Sequence, residues 1–156
     1  MSESTSLDRA LAVCFRQLGR REQTEAELRR RLDREGVGEA TIDQALDELR
    51  ERRYVDDAGY AQRFAEDRRA LDGWGPERIR GRLEQAGIDD ELIESALGVR
   101  GAQDELQAAL AVLEKRMTED GPADDRARNR AVGLLLRRGY ESELAYTAVR
   151  RFFEGR

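Results

Sequence analysis

The same short phrase stops a helix three times in this chain: a leucine, three residues, a glycine, then a large apolar residue. It reads Leu32-x3-Gly36-Val37, Leu83-x3-Gly87-Ile88 and Leu135-x3-Gly139-Tyr140, with the glycines 51 and 52 residues apart. A helix commonly ends on one residue in the left-handed conformation, where glycine has no Cβ to clash. With each glycine there, the leucine is the third-last helical residue and meets the next apolar residue across the stop, as in the Schellman motif. Upstream, Leu28, Ile79 and Ala131 lie four residues before each leucine. Downstream come apolar stripes at Ile42, Leu46, Leu49, at Leu92, Ile93, Leu97, and at Leu144, Val149, Phe152. One-face spacings of this kind predict helices, and their recurrence predicts a tandem repeat. The expected fold is all-α, an elongated, curved array of three tandem three-helix repeats. Residues 1–55 form the N-terminal tail and repeat one, 56–101 repeat two and 102–156 repeat three.

Composition agrees with a stack of small cores. Charged residues make up 39% and aromatic residues 6% of the 156, too polar a mix for one thick core. With two prolines and no sustained alternation of period two, no strand is predicted. Residues 1–6 read as a frayed tail and residues 7–18 as the first helix, with Leu7, Leu11, Phe15 and Leu18 facing inward. Thr24-x-x-Glu27 is a capping box for a second helix running to residue 35, and residues 39–53 make the third. Asp56 is placed to cap the next helix, with Asp57 in its first turn. That helix is expected to bury Tyr60, Ala61, Phe64 and Leu71, and Gly73-Trp74-Gly75-Pro76 breaks it, with Pro76 opening its successor. Asp89-Asp90-Glu91 starts the last helix of repeat two. A helix carrying Leu106, Leu110, Leu113 and Met117 opens repeat three. Residues 118–125, with Gly121-Pro122, read as a flexible loop before helices at 125–138 and 141–154.

Several chemistries are absent. The chain has no histidine, so the usual acid–base catalyst near neutral pH is missing. It has no Cys/His metal cluster, no glycine-rich phosphate loop and no nucleophile elbow. The Asp56-Asp57 and Asp89-Asp90 pairs are explained by helix capping. Cys14, the single cysteine, falls on an apolar stripe and reads as a buried thiol. No enzyme, cofactor or metal is expected. With no apolar run of membrane length and no secretory signal, the expectation is a soluble cytoplasmic protein, and a monomer.

Arginine supplies the binding chemistry. Of 28 basic residues only Lys115 is lysine. The net charge of −5 argues against a protein that coats duplex DNA, yet residues 120–156 hold eight arginines against six acids. Arginines cluster on the middle helix of each repeat: Arg29, Arg30, Arg31 and Arg34, then Arg78, Arg80 and Arg82, then Arg126, Arg128, Arg130, Arg137 and Arg138. Set opposite the core leucines they point outward, and stacking would align them in a discontinuous stripe. From these we select Arg29, Arg30, Arg80, Arg82, Arg126, Arg128, Arg130, Arg137 and Arg138 as the candidate partner or nucleic-acid contacts. A solvated face with pairs such as Glu27–Arg31 explains the first copy equally well. Trp74 reads either as closing a corner of repeat two or as an exposed anchor for a partner, and the corner is the plainer account.

The chain resembles the RecX family of bacterial recombination regulators. Arg20-Arg21-Glu22-Gln23-Thr24-Glu25-Ala26-Glu27-Leu28 with Leu32 is similar to the family's first-repeat signature. Tyr54-Val55-Asp56-Asp57 with Tyr60, Ala61 and Phe64 resembles its inter-repeat signature. Gly73-Trp74-Gly75-Pro76 with Ile79, Leu83, Gly87 and Ile88 resembles its second repeat, and Leu135, Arg137, Arg138, Gly139 and Tyr140 outline the third. The resemblance implies three tandem three-helix repeats that bind RecA and its nucleoprotein filament on single-stranded DNA. It also implies inhibition of ATP hydrolysis, recombinase and co-protease action, with a weak DNA contact. Two other readings remain, an all-helical DNA-binding regulator and a helical scaffold for another protein.

Overall fold

Each of the three stop phrases ends a helix with the same pair of backbone hydrogen bonds. The structure, a computed structural model, describes residues 3–98, 100–117 and 122–155. Val37, Ile88 and Tyr140 N–H donate to the carbonyls of Leu32, Leu83 and Leu135 at 3.0, 3.1 and 3.1 Å. Gly36, Gly87 and Gly139 N–H donate to Asp33, Glu84 and Leu136 at 3.0, 3.0 and 3.1 Å, and their φ values are +79°, +79° and +97°. These are Schellman motifs in full, and they satisfy carbonyls the helix leaves open.

Among the described residues there are nine α-helices and no strands. They are α1 Glu3–Leu18, α2 Glu25–Arg34, α3 Glu39–Glu51, α4 Asp57–Asp67, α5 Pro76–Gln85, α6 Asp90–Leu97, α7 Ala102–Arg116, α8 Asp125–Arg138 and α9 Ser142–Glu154. A π-helical turn, Arg68–Asp72, follows α4 directly. The capping box forms: Glu27 N–H donates to Thr24 Oγ1 at 3.2 Å and Thr24 N–H to Glu27 Oε1 at 3.0 Å. Asp56 caps α4 through Gly59 N–H at 3.0 Å, and Asp124 caps α8 through Ala127 N–H at 2.9 Å.

Four sequence expectations need correction. The first helix starts at residue 3, so residues 3–6 are helical instead of frayed. Phe15 is 38% exposed, because the buried face of α1 is Ala10, Val13 and Cys14. Leu71 is 65% exposed, because the π turn adds a residue to the helical period and rotates Leu71 off the buried face. Tyr60 and Phe64 are only partly buried. The loop expected at 118–125 falls partly outside the described residues, which omit 118–121.

The chain divides into two compact units, residues 1–61 with 83–93 and residues 62–82 with 94–156. The helices α4, α5 and α6 each contribute one end to each unit. In the first unit, Ala10 and Cys14 of α1 pack with Leu28 and Leu32 of α2 and Ile42, Leu46 and Leu49 of α3. In the second, Leu106 and Leu113 of α7 pack with Ala131 and Leu135 of α8 and Ala148, Val149 and Phe153 of α9. Each fully buried leucine or isoleucine is worth roughly 1.5–3 kcal/mol.

Within the first unit the end of α5 docks on the start of α2. Thr24 Oγ1 donates to Ala86 O at 2.6 Å, and a Cβ on Gly87 would sit 2.2 Å from Ala26 Cβ. Within the second unit the end of α8 docks on the start of α5 in the same manner. Gly75 N–H donates to Arg138 O at 2.7 Å and Glu77 N–H to Gly139 O at 2.9 Å, and a Cβ on Gly139 would lie 2.4 Å from the Arg78 backbone nitrogen. In the second unit backbone N–H groups at the start of α5 meet carbonyls at the end of α8, and in the first the Thr24 hydroxyl takes the equivalent place, each with favourable dipole alignment.

Candidate partner-binding surfaces

The arginines of the middle helices divide by what they already hold. In the first unit Arg29 pairs with Asp43 at 2.6 Å, and Arg30 donates to Gln85 O at 3.3 Å. Arg31 pairs with Glu35 at 3.0 Å. The Glu27–Arg31 pair of the solvated-face reading does not form. The capping box turns Glu27 back toward the helix start, where the Arg21 fork takes it at 2.8 and 3.3 Å. Burial raises the Glu27 carboxyl, but Arg21 and the Thr24 amide outweigh it and hold that group below its ordinary value. A groove of about 770 Å³ opens here, lined by Arg20, Arg21, Arg30, Arg31 and Arg34 with Glu27 and Asp33. Arg20 and Arg21 belong to the first-repeat signature and are not among the candidate contacts selected from the sequence.

In the second unit Arg80 spans Glu77 at 2.8 Å and Glu94 at 2.9 Å. Trp74 is 9% exposed and closes a corner, as the plainer reading had it. Its ring meets Phe64 edge-on at 6.0 Å and carries the Arg78 guanidinium 4.1 Å from its centroid, with Arg82 at 5.9 Å. Arg78 also donates to Arg137 O at 2.9 Å. Arg128 lies 5.7 Å from the Phe153 centroid, and Arg138 is half-buried with Nη1 donating to Asp72 O. Arg126, Arg130 and Arg137 are exposed, with no ion pair among the described residues.

The pairs Arg29–Asp43 and Arg80–Glu94 share a 14-residue separation and a place one residue after Leu28 and Ile79. The third copy has Val132 and Tyr146 at the equivalent positions. Arg29 and Arg80 therefore brace their own repeats, and the third copy has dropped this brace.

Among the described residues no group of His, Cys, Asp or Glu is placed to hold a metal, and no helix is long and apolar enough to cross a membrane. Cys14 is wholly buried, and burial pushes its thiol up to about 11.

Profiles of RecX match three segments in order: residues 10–49 the first three-helix domain, 56–97 the second and 103–149 the third. Regulatory protein RecX of Amycolatopsis mediterranei is 33% identical over 143 residues, covering 91% of this chain and 82% of that protein. Regulatory protein RecX of Thermobifida fusca is 35% identical over 148 residues, covering 94% and 80%. This chain belongs to the RecX family. The crystal structure of RecX from Lactobacillus salivarius matches with a TM-score of 0.79 at 19% identity, covering 97% of this chain and 99% of that one. A second crystal structure, of regulatory protein RecX, matches at 0.75 and 22% identity, covering 96% and 73%. Both show the same fold.

The named relatives are regulatory proteins, and the RecX signature residues here perform structural tasks. Val55 is buried, Asp56 caps α4, and Asp57 Oδ1 accepts from Glu25 N–H at 3.1 Å, adding a second acceptor at the start of α2. Burial raises the Asp57 carboxyl above its ordinary value, and the Glu25 amide offsets part of that. These signature residues thus serve caps and packing, while Arg126 and Arg130 lie outside the signature segments.

Proposed function

We propose that this chain is a negative modulator of RecA. It binds RecA and RecA–single-stranded DNA filaments in the cytoplasm and inhibits their recombinase, ATPase and co-protease activities, and so regulates DNA repair. The reading rests on membership of the RecX family at about a third identity over most of both chains. The arginine distribution supports it. A chain of net charge −5 whose last 37 residues hold eight arginines against six acids suits an acidic or phosphate-bearing partner without coating duplex DNA. Contact is assigned to Arg30, Arg82, Arg126, Arg128, Arg130, Arg137 and Arg138, with Arg29 and Arg80 held back by their carboxylates. The chain acts as a monomer, with repeats at 1–55, 56–101 and 102–156.

The test measures the single-stranded-DNA-dependent ATPase of RecA with rising amounts of this protein. Wild type suppresses the rate, and Arg126→Ala/Arg130→Ala shifts the curve to higher concentration. An unchanged ATPase rate and filament lifetime at saturating protein refutes the reading. Sequence-selective, salt-sensitive binding to naked duplex DNA replaces it with the DNA-binding regulator.

A further inference from the structure

The second unit contains a cavity of about 210 Å³ where several costly features meet. Its wall includes the π turn, a rare form of helix that recurs at functional sites. That turn places Leu71, 65% exposed, at the cavity edge, where the helical pattern would have buried it. It also sends Arg69 inward, to donate to Leu97 O at 2.8 Å, while Arg69 Nε is buried with no hydrogen-bond partner. Burial, and then the neighbouring Arg100, hold the Arg69 guanidinium below its ordinary value.

The lining is strongly cationic for a chain of net charge −5. Arg69, Arg100, Lys115, Arg116 and Arg138 surround the space, against one lining carboxylate, Asp72, which Arg68 already holds. Glu105 lies 3.5 Å from Arg100 and 4.0 Å from Arg69, and leaves the other three without a carboxylate among the described residues. The rest of the lining is mostly apolar and includes Ala108, Ala111 and Val112 on one face of α7. Places where local rules break are expected to be functional or strained sites.

We propose that this cavity binds a compact polyphosphate, the di- or triphosphate group of a nucleotide or of its inorganic counterpart. Charge density decides the class. A nucleic-acid strand brings one charge per phosphate, so a space this size admits about one or two, too few for the cationic surplus. A triphosphate concentrates three to four charges in the same volume, and planar guanidinium groups match its oxygens in pairs. The proposal needs no RecA and is independent of the filament reading.

Trp74 lines the cavity and is the only tryptophan, so its emission reports occupancy without a label. The full chain is titrated with sodium tripolyphosphate, with ATP, with oligodeoxythymidylate at matched phosphate concentration and with oligoglutamate, each also followed by calorimetry. Tripolyphosphate and ATP are expected to saturate. Lys115→Ala/Arg116→Ala, at exposed positions, weakens both by at least about tenfold, whereas Arg150→Ala/Arg151→Ala, which removes equal charge from α9, does not. ATP binding more tightly than tripolyphosphate shows that the apolar wall holds the nucleoside; equal affinity shows recognition of phosphate alone. The proposal is overturned if neither saturates, if the cavity variant binds like wild type with an unchanged circular dichroism spectrum, or if the oligonucleotide or oligoglutamate binds as tightly. RecA ATPase measured with the same variants keeps this result separate from the filament reading.

Discussion

Gly36 and Gly87 have the same φ of +79°, the same pattern of hydrogen bonds and equivalent places in the stop phrase, yet they differ in what stands beside them. A Cβ on Gly36 meets nothing within 4 Å, whereas one on Gly87 lies 2.2 Å from Ala26 Cβ at the start of α2. Alanine at either site adopts the left-handed conformation at a cost of about 1–2 kcal/mol, offset by about 0.4–1 kcal/mol from the stiffer unfolded chain. Gly36→Ala should therefore cost about 1 kcal/mol. Gly87→Ala adds overpacking of about 1–3 kcal/mol, because both colliding atoms sit directly on backbone. Ala26→Gly removes one of them, at about 1 kcal/mol of helix propensity. The double variant should then recover most of the overpacking, a coupling of about 1–3 kcal/mol, while the left-handed strain remains. Urea unfolding followed by circular dichroism on the four variants measures each quantity. Equal costs at Gly36 and Gly87, or additive effects of Gly87→Ala and Ala26→Gly, would refute the docking of α5 on α2 by close backbone approach.

Other substitutions probe other parts of the fold. Arg53 occupies the left-handed position after α3 at φ +62°, with Tyr54 N–H on Leu49 O at 2.9 Å, so Arg53→Gly should stabilise by up to about 1 kcal/mol in the same urea assay. Thr24→Ala removes both the cap on α2 and the donor to Ala86 O, and should lower stability by about 2–3 kcal/mol, with Thr24→Ser recovering most of it. The folded Cys14 thiol, at about 11 against an ordinary 9.0, lies above its unfolded value. Its contribution is therefore complete below pH 9 and lost as pH climbs to 11, roughly 3 kcal/mol in all. Cys14→Ala should flatten the stability profile between pH 9 and 10, leaving above pH 10 the fall from Tyr140, pushed from 10.0 up to about 12 by burial.

Local chemistry was legible in the sequence wherever one residue type has one physical reason to be present. The three stop glycines, the Thr24–Glu27 box, the Asp56 cap and Pro76 at the start of α5 each answer to a backbone constraint within a few residues. The failures share a cause. Arg53 ends α3 just as the glycines end α2, α5 and α8, but arginine carries no signal for a left-handed position. Leu71 left its stripe because one π turn shifted the register, and no residue type announces a π turn. Phe15 was assigned to the core by spacing, whereas it meets Tyr54 edge-on at 5.1 Å outside it. Spacing allowed a Glu27–Arg31 pair, but the cap, also legible in the sequence, had the prior claim on that carboxylate.

The arginines show where repetition itself could have helped. Fourteen residues after Arg29 stands Asp43, and fourteen after Arg80 stands Glu94; both pairs close in the structure. An arginine that recurs at an equivalent position with an acid at a fixed offset belongs to the architecture of its triplet. One with no counterpart and no carboxylate, such as Arg126, has no such structural employment among the described residues. Comparing copies within one chain therefore separates braces from free cations before any coordinates exist. The cavity beside the π turn escapes even that test. Arg69, Arg100 and Lys115 come from three separate stretches, and no copy-to-copy pattern links them. A repeat announces what its copies share, and a binding site built on one copy alone has to be found in the fold.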